Sequence, residues 1–481
     1  MNTPIIRLFG LVVVLFALLI GWTTRWTVFE QKSLNDNALN SRTLIDELKI
    51  KRGRILAADA TVLAQSQPAP DKTWTRFYPT GQLFSQAVGY ALPRTAQTAG
   101  LERSRGDELR GVQTGLSSIF GQFGGSQRVG DDVYTTLSRS AQQVAVQQLQ
   151  SAAQIGTPSG SIVALDIRTG AVKVMASLPS YDDNHPNATG PGITQFNRAT
   201  QARYPPGSTF KVLTDVAAID SGKFTPDSTV NGNSPVTISG VPLSNDANAS
   251  YGPITLTAAL TQSVNTVWAQ VAEQVGRPTM TMYMQRFGFY SKPPLDYPPD
   301  ELNVSRPYDL HGHAYPPGST NEDIGRIGMG QGGLQVTPLQ MAMVAAAVAN
   351  GGKLMVPHLT DRVVGPDGRT IETIKPAVYS QVMKASTAQA VTQMMTQVVN
   401  DPQGTGTAAA LSGIDVAGKT GTAQIGAQGS NLTEPWFIGF APANNPQYAV
   451  AVTIDKTSGQ FGGPTAGPMF KAVIQTLLQG H

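Results

Sequence analysis

The chain has 481 residues, enough for two or three domains and a large buried core, and its 41% hydrophobic and 14% charged residues exclude a disordered chain. Lys and Arg number 35 against 32 Asp and Glu, a net charge of +3 with no basic block, so no nucleic-acid partner is expected. Cysteine is absent, which removes disulfides, thiolate metal sites and cysteine nucleophiles, and only five histidines (His185, His311, His313, His358 and His481) remain for any histidine chemistry.

In chain order, residues 1–7 read as a short cytoplasmic N-terminus carrying Arg7. The uncharged run 8–24 follows, roughly 26 Å long as a helix. With Trp22 and Trp26 at an interface and Arg25 reaching outward, residues 8–26 are expected to be a single membrane anchor. A cleaved signal would want a small-x-small site after the run, and Gly21-Trp22-Thr23-Thr24-Arg25-Trp26 has none. The rest of the chain is then extracytoplasmic. Residues 28–50 read as a helical stalk, and from Lys51 to Asp132 short apolar stretches (55–56, 62–64, 77–78, 87–90) alternate with glycine and proline. Residues 27–133 are therefore expected to form a small, open pedestal module of short strands.

Residues 134–481 form the larger unit. An amphipathic helix with an N-terminal cap is predicted over 137–151. Apolar runs at 161–166 and 171–176 flank the turn Arg168-Thr169-Gly170 and predict a hairpin. A helix follows Ser208, another helical region covers 256–275, and an Ala-rich buried helix at 339–350 ends at Gly351-Gly352. Strands are predicted at 416–425, 436–441 and 448–455, with a closing helix near 464–479. The pattern is α+β: an antiparallel sheet flanked by helices, plus an all-helical part. The 49 glycines and 33 prolines are consistent with long, turn-rich loops.

Three short motifs carry chemistry. In Tyr204-Pro205-Pro206-Gly207-Ser208-Thr209-Phe210-Lys211 the prolines set an extended approach, Gly207 permits a turn, and Ser208 and Lys211 lie one helical turn apart on one face. A hydroxyl with an amine in reach is a nucleophile pair that needs no histidine, provided the lysine is neutral part of the time. Alone the spacing is common by chance, and Tyr315-Pro316-Pro317-Gly318-Ser319-Thr320 repeats the approach with Glu322 where lysine would stand; this copy is read as a turn. The second motif, Ser263-Val264-Asn265, offers a hydroxyl that can relay a proton and an amide that can pair with a peptide. In the third, Lys419-Thr420-Gly421-Thr422, the glycine permits close backbone approach to a ligand, while the lysine and hydroxyls can hold a carboxylate.

In this order, separated by 55 and 156 residues, the three motifs resemble the penicillin-recognising serine acyl-transferases. The likeness extends to the 160–180 hairpin, Asn197-Arg198-Ala199, 336–342, and Trp436-Phe437-Ile438-Gly439-Phe440-Ala441-Pro442. Upstream, Arg52-Gly53-Arg54-Ile55 and Gly100-Leu101-Glu102 are similar to the pedestal of class B penicillin-binding proteins, most of all the actinobacterial penicillin-binding protein A group. The resemblance implies a peptidoglycan D,D-transpeptidase in the cell membrane. Ser208 would attack the D-Ala-D-Ala carbonyl of a stem peptide with Lys211 as base, and Ser263, tuned by Lys419, would return the proton to the leaving amine. Asn265 would orient the substrate amide, Thr420 and Thr422 would hold its carboxylate beside Gly421, and the Ser208 and Thr422 backbone N–H groups would form the oxyanion hole. β-Lactams would acylate the same serine. No metal or other cofactor is implied. Glycan polymerisation would fall to a membrane partner of the RodA/FtsW kind.

Val264 replaces the aspartate of the S-D-N form, which points away from class A β-lactamases. Their deacylating glutamate, four residues before an asparagine, has no counterpart at Asp300-Glu301-Leu302-Asn303, since Pro299 occupies that position. His311-Gly312-His313 reads as a surface loop. The alternatives to a transpeptidase are a D,D-carboxypeptidase, a β-lactamase-like hydrolase, and a non-catalytic β-lactam-binding scaffold.

Overall fold

The computed structural model describes residues 3–26, 30, 47–112, 129–152, 159–426 and 430–480. The first element is α1 (Thr3–Thr24), 22 residues without a charge except Arg7, none of them buried, and roughly 33 Å long. The stalk predicted over 28–50 lies largely outside the described residues.

Six strands build the pedestal sheet, and two of them come from far along the chain. Strands β1 (Ile55–Leu56), β2 (Val62–Pro68), β3 (Trp74–Phe77) and β4 (Asp132–Thr135) belong to the predicted module. The sheet runs 370–373, 360–364, β4, β1, β2, β3, with β1 parallel to β4 through Ile55 opposite Val133. The module does not stand alone, because strand 360–364 of the later sequence pairs with the remaining edge of β4. Where the sequence suggests an apolar strand at 87–90, Ser85–Val88 is a helical turn buried at all four positions.

Under this sheet Glu102 is fully buried between two guanidinium groups. Arg52 Nη2 lies 2.9 Å and Arg76 Nε 2.5 Å from its oxygens. Burial pushes the carboxyl up, but Arg76 and Arg52 outweigh it and hold it below its usual range. The triad therefore stabilises the fold above the unfolded carboxylate range and loses that contribution as acid protonates Glu102. Glu102→Gln strands two arginines in the interior, and urea unfolding at pH 7 is expected to show a loss of about 3 kcal/mol or more. An unchanged midpoint would refute the arrangement.

The larger unit is centred on a five-strand antiparallel path. It comprises β5 (Gly160–Asp166), β6 (Val172–Leu178), β7 (Ala417–Ile425), β8 (Leu432–Ala441) and β9 (Tyr448–Ile454), in the order β7-β8-β9-β5-β6. The predicted hairpin is β5–β6, turned through Gly170 at φ +84°. On one face pack α2 (Arg139–Ser151), capped by the Ser138 hydroxyl on Ala141 N at 3.3 Å, and the closing helix Gly462–Leu478. On the other lies Pro338–Ala349, buried at all twelve positions, which explains its unbroken apolar sequence. The remaining helices, including Lys211–Asp220, Asn265–Val275 and Ala385–Asn400, pack beyond it into the main core.

The pedestal is docked on this unit by polar contacts absent from any local pattern. Glu301 accepts from Gly100 N at 3.2 Å, Asp300 pairs with Arg103, and Arg105 reaches Asp296 at 3.4 Å and Glu372 at 3.3 Å. The 300–303 stretch, which carries no deacylating glutamate, is part of that seam.

Candidate active site

The approach to Ser208 is pinned on three sides. Tyr204 exchanges backbone hydrogen bonds with Val336, Gly207 N donates to Gly330 O at 3.1 Å, and Thr209 Oγ1 donates to Pro206 O at 2.8 Å. Gly207 holds φ +51°, and a Cβ there would stand 3.0 Å from the Thr422 carbonyl, so only glycine suits both the turn and the neighbouring strand. Ser208 occupies a short 3₁₀ turn, Gly207–Phe210, that feeds directly into Lys211–Asp220. Phe210, stacked edge-on against Phe289, anchors the turn in the core.

Lys211 is fully buried. Its Nζ donates to Asn265 Oδ1 at 2.7 Å, to Ser263 O at 2.7 Å and to Ser263 Oγ at 3.3 Å. Ser208 Oγ is not among these partners and has no hydrogen bond to any described residue. The sequence places the two side chains on one face; the buried amine spends its donors on the second motif instead. Such contacts commonly tighten only with substrate bound.

Ser263 is where the predicted helix 256–275 breaks. Leu256–Thr261 ends, Ser263 adopts φ +60°, and Asn265–Val275 starts in a new direction. A left-handed serine costs about 1–2 kcal/mol, and here it turns the hydroxyl between two amines. Lys419 Nζ donates to Ser263 Oγ at 2.9 Å and to Thr420 O at 3.0 Å.

Lys419, also fully buried, lies on β7. Glycine at 421 lets that strand press on the serine turn: a Cβ would meet Pro206 O at 2.8 Å and Thr209 N at 3.1 Å. Thr420 Oγ1 is 2.6 Å from Thr405 Oγ1, and Thr422 Oγ1 accepts from Gly462 N at 3.1 Å, which leaves the Thr422 hydroxyl proton available to a ligand.

Two buried amines thus share one serine hydroxyl at the cavity wall. Burial draws Lys211 down to about 7, with Asp246 pushing partly back. Burial and then the Lys211 charge hold Lys419 well below an ordinary lysine. Both cannot stay charged, so a neutral amine is present near neutral pH. The arrangement can take a proton from one hydroxyl, pass it through another, and bind an anion on the strand side.

All eight residues singled out in the sequence meet at one place. Ser208, Ser263, Asn265, Thr420, Gly421 and Thr422 line a cavity of about 680 Å³, and the two lysines stand behind its wall. The second Pro-Pro-Gly-Ser copy does not line it; Arg277 ties that turn down through Ser319 O and Glu322 O. His311 and His313 lie on an exposed loop, with His313 Nδ1 3.0 Å from Asp309. Sequence reasoning missed Thr405 and the Asn245-Asp246 loop. Thr405 has no local signal, and the loop has only its turn-forming composition, Ser244-Asn245-Asp246-Ala247-Asn248.

Comparison with known proteins identifies the family. Residues 160–475 match the penicillin binding protein transpeptidase domain family, and residues 52–133 match the penicillin binding protein A dimerisation domain. The chain is 32% identical to the peptidoglycan D,D-transpeptidase PbpA of Mycolicibacterium smegmatis, over 100% of this chain and 99% of that one. It is 31% identical to PbpA of Mycobacterium tuberculosis over the whole of both. The M. tuberculosis penicillin-binding protein A structure, solved as a ceftriaxone acyl-enzyme, superposes with a TM-score of 0.79 at 28% identity, covering 90% of this chain and 100% of that one. A D,D-transpeptidase domain from Eggerthella lenta gives 0.75 at 31%, covering 90% and 99%.

Proposed function

The chain belongs to the penicillin-binding transpeptidase family and is a serine-type peptidoglycan D,D-transpeptidase, and from that premise we propose that Ser208 is its nucleophile and Lys211 the base that activates it. The observation that carries this reading is the buried run Lys211–Ser263–Lys419, with Asn265 bonded to Lys211, in the wall beside Ser208. Neutral Lys211 takes the Ser208 proton as Oγ attacks the penultimate D-Ala carbonyl. The Ser208 and Thr422 backbone N–H groups receive the oxyanion. The proton returns through Ser263, poised by Lys419, to the leaving D-alanine amine. Thr420 and Thr422, which line the cavity beside Gly421, hold the terminal carboxylate, and Asn265 aligns the peptide amide. An amine from a second stem then takes the acyl group.

β-Lactams present a carboxylate and a strained carbonyl to the same groups, and the M. tuberculosis relative forms acyl-enzymes with ceftriaxone and imipenem. The full chain in detergent, given a fluorescent penicillin, is expected to hold a covalent label for hours. Label lost within minutes would favour a hydrolase, and none at all a scaffold.

The acylation rate should also rise with pH. Below about 7 Lys211 is a cation and cannot accept a proton; above it the free amine dominates. A tenfold rise per unit below that point, flattening above it, is expected in stopped-flow acylation with a chromogenic cephalosporin. A flat profile from pH 5 to 9 would remove Lys211 from the role.

The finer organisation follows the same reading. Residues 8–26 anchor the protein with 1–7 cytoplasmic, 27–133 form the pedestal, and 134–481 the extracytoplasmic transpeptidase. Support comes from the exposed apolar helix α1 and from Trp22 and Trp26 in edge-on contact at its end. A membrane polymerase of the RodA/FtsW kind supplies the glycan strands.

A further inference from the structure

One carboxylate faces the catalytic cavity. Among the described residues that line it, Asp246 is the only acidic one. Its Oδ1 accepts from Asn265 Nδ2 at 3.1 Å, and Asn265 Oδ1 accepts from Lys211 Nζ at 2.7 Å. Oδ2 has no hydrogen bond to a described residue, and the side chain is exposed to the cavity.

The position is built. Buried Asn245 donates to Gly232 O at 3.0 Å and Ala249 O at 2.9 Å and accepts from Thr266 N at 2.9 Å. That ties the loop to the first turn of Asn265–Val275. Ala247 and Asn248 are both held left-handed, at φ +51° and +54°. Strain of this kind persists only where the surroundings over-determine it.

The cavity is therefore polarised. The strand side, where Thr420 and Thr422 line the cavity with Lys419 buried behind them, suits the carboxylate of the donor peptide. A carboxylate would be repelled at Asp246, and a cation attracted. Of the groups that react in the second half of the transpeptidase cycle, the acceptor amine is the cationic one, an ammonium in neutral water.

We propose that Asp246 is a positioning residue for the second half-reaction, drawing the acceptor ammonium into the cavity beside acyl-Ser208. This rests on the transpeptidase reading and deepens it. The ammonium releases one proton to solvent and its nitrogen attacks the ester carbonyl. As the amide forms, the C–Oγ bond of Ser208 breaks, and the second proton lost by nitrogen passes through Lys211 to Oγ. Asp246 also favours the charged form of both lysines against burial. An ammonium paired with Asp246 offsets that effect and leaves more of Lys211 as the free amine, the form that can accept a proton.

The test uses the full chain acylated by a thioester donor and measures how the acyl-enzyme partitions between transfer and hydrolysis. The acceptors are D-alaninamide, largely cationic at pH 7, and hydroxylamine, largely neutral there. In Asp246→Asn, which keeps an oxygen to receive Asn265, the preference for D-alaninamide over hydroxylamine should fall roughly tenfold, the scale of one partly screened charge pair. Asp246→Glu should retain most of it. In the unmodified protein, transfer to D-alaninamide should weaken as salt rises while transfer to hydroxylamine does not. If both acceptors lose equally in Asp246→Asn, Asp246 acts only through Asn265 and the proposal fails. It fails too if the unmodified protein shows no salt dependence, whatever the variants do. Absence of any acyl-enzyme in the unmodified protein would instead overturn the transpeptidase reading.

Discussion

Ser208→Ala leaves no covalent penicillin adduct. The expectation is total loss, because the serine supplies the bonding atom and no neighbouring hydroxyl can replace it. Ser263 Oγ is held between Lys211 at 3.3 Å and Lys419 at 2.9 Å, Thr209 Oγ1 is committed to Pro206 O, and Thr420 Oγ1 lies 2.6 Å from Thr405. Among the described residues, Ser208 alone combines an uncommitted hydroxyl, a place on the cavity wall and a lysine one turn on. The substitution removes one oxygen from a partly exposed turn, so stability should stay within about 1 kcal/mol, measurable by thermal unfolding. Intact-mass spectrometry after incubation with penicillin G reads the result directly. An adduct of unchanged yield on the variant, at Ser263 or elsewhere, would end the proposed mechanism.

Lys211→Ala should lower the acylation rate by about 10² to 10⁴, the usual worth of a positioned general base, or about 3–5 kcal/mol of barrier. The effect has two parts. The proton acceptor is gone, and Lys419 loses the neighbouring charge that helps hold it neutral, so Ser263 then faces an amine more readily charged. Lys211→Arg separates base from charge, since a guanidinium keeps its proton throughout the working range. It is expected to be as slow as the alanine variant. Recovery of the rate with arginine, in a protein whose circular dichroism is unchanged, would show that Lys211 contributes charge and not proton transfer.

These two expectations draw differently on sequence and fold. Ser208 and Lys211 were readable as a pair because a helix brings residues three apart onto one face wherever it lies. The same locality made the Ser138 cap, the β5–β6 hairpin and the wholly apolar helix Pro338–Ala349 visible in the bare chain. In each case the signal is a spacing of a few residues, or a run whose polarity reports its surroundings. The break at Ser263 was only half visible: the sequence shows a helical region, and nothing local says that one serine must turn left-handed.

What the chain by itself determined is the chemistry: which side chains are present, in what order, and on which kind of element. Tertiary structure alone decided that Lys211 and Lys419, 208 residues apart, would meet at a single hydroxyl. That meeting depends on Gly421 lying close enough for β7 to touch the serine turn. Asp246 reached the cavity by the same route, through a loop held by Asn245. Long-range proximity of this kind comes from strand register and from the loss of side-chain bulk at contact points, and neither leaves a period in the sequence. The depressed lysines follow from it as well: burial is a property of everything packed around a residue and is not written at the residue itself.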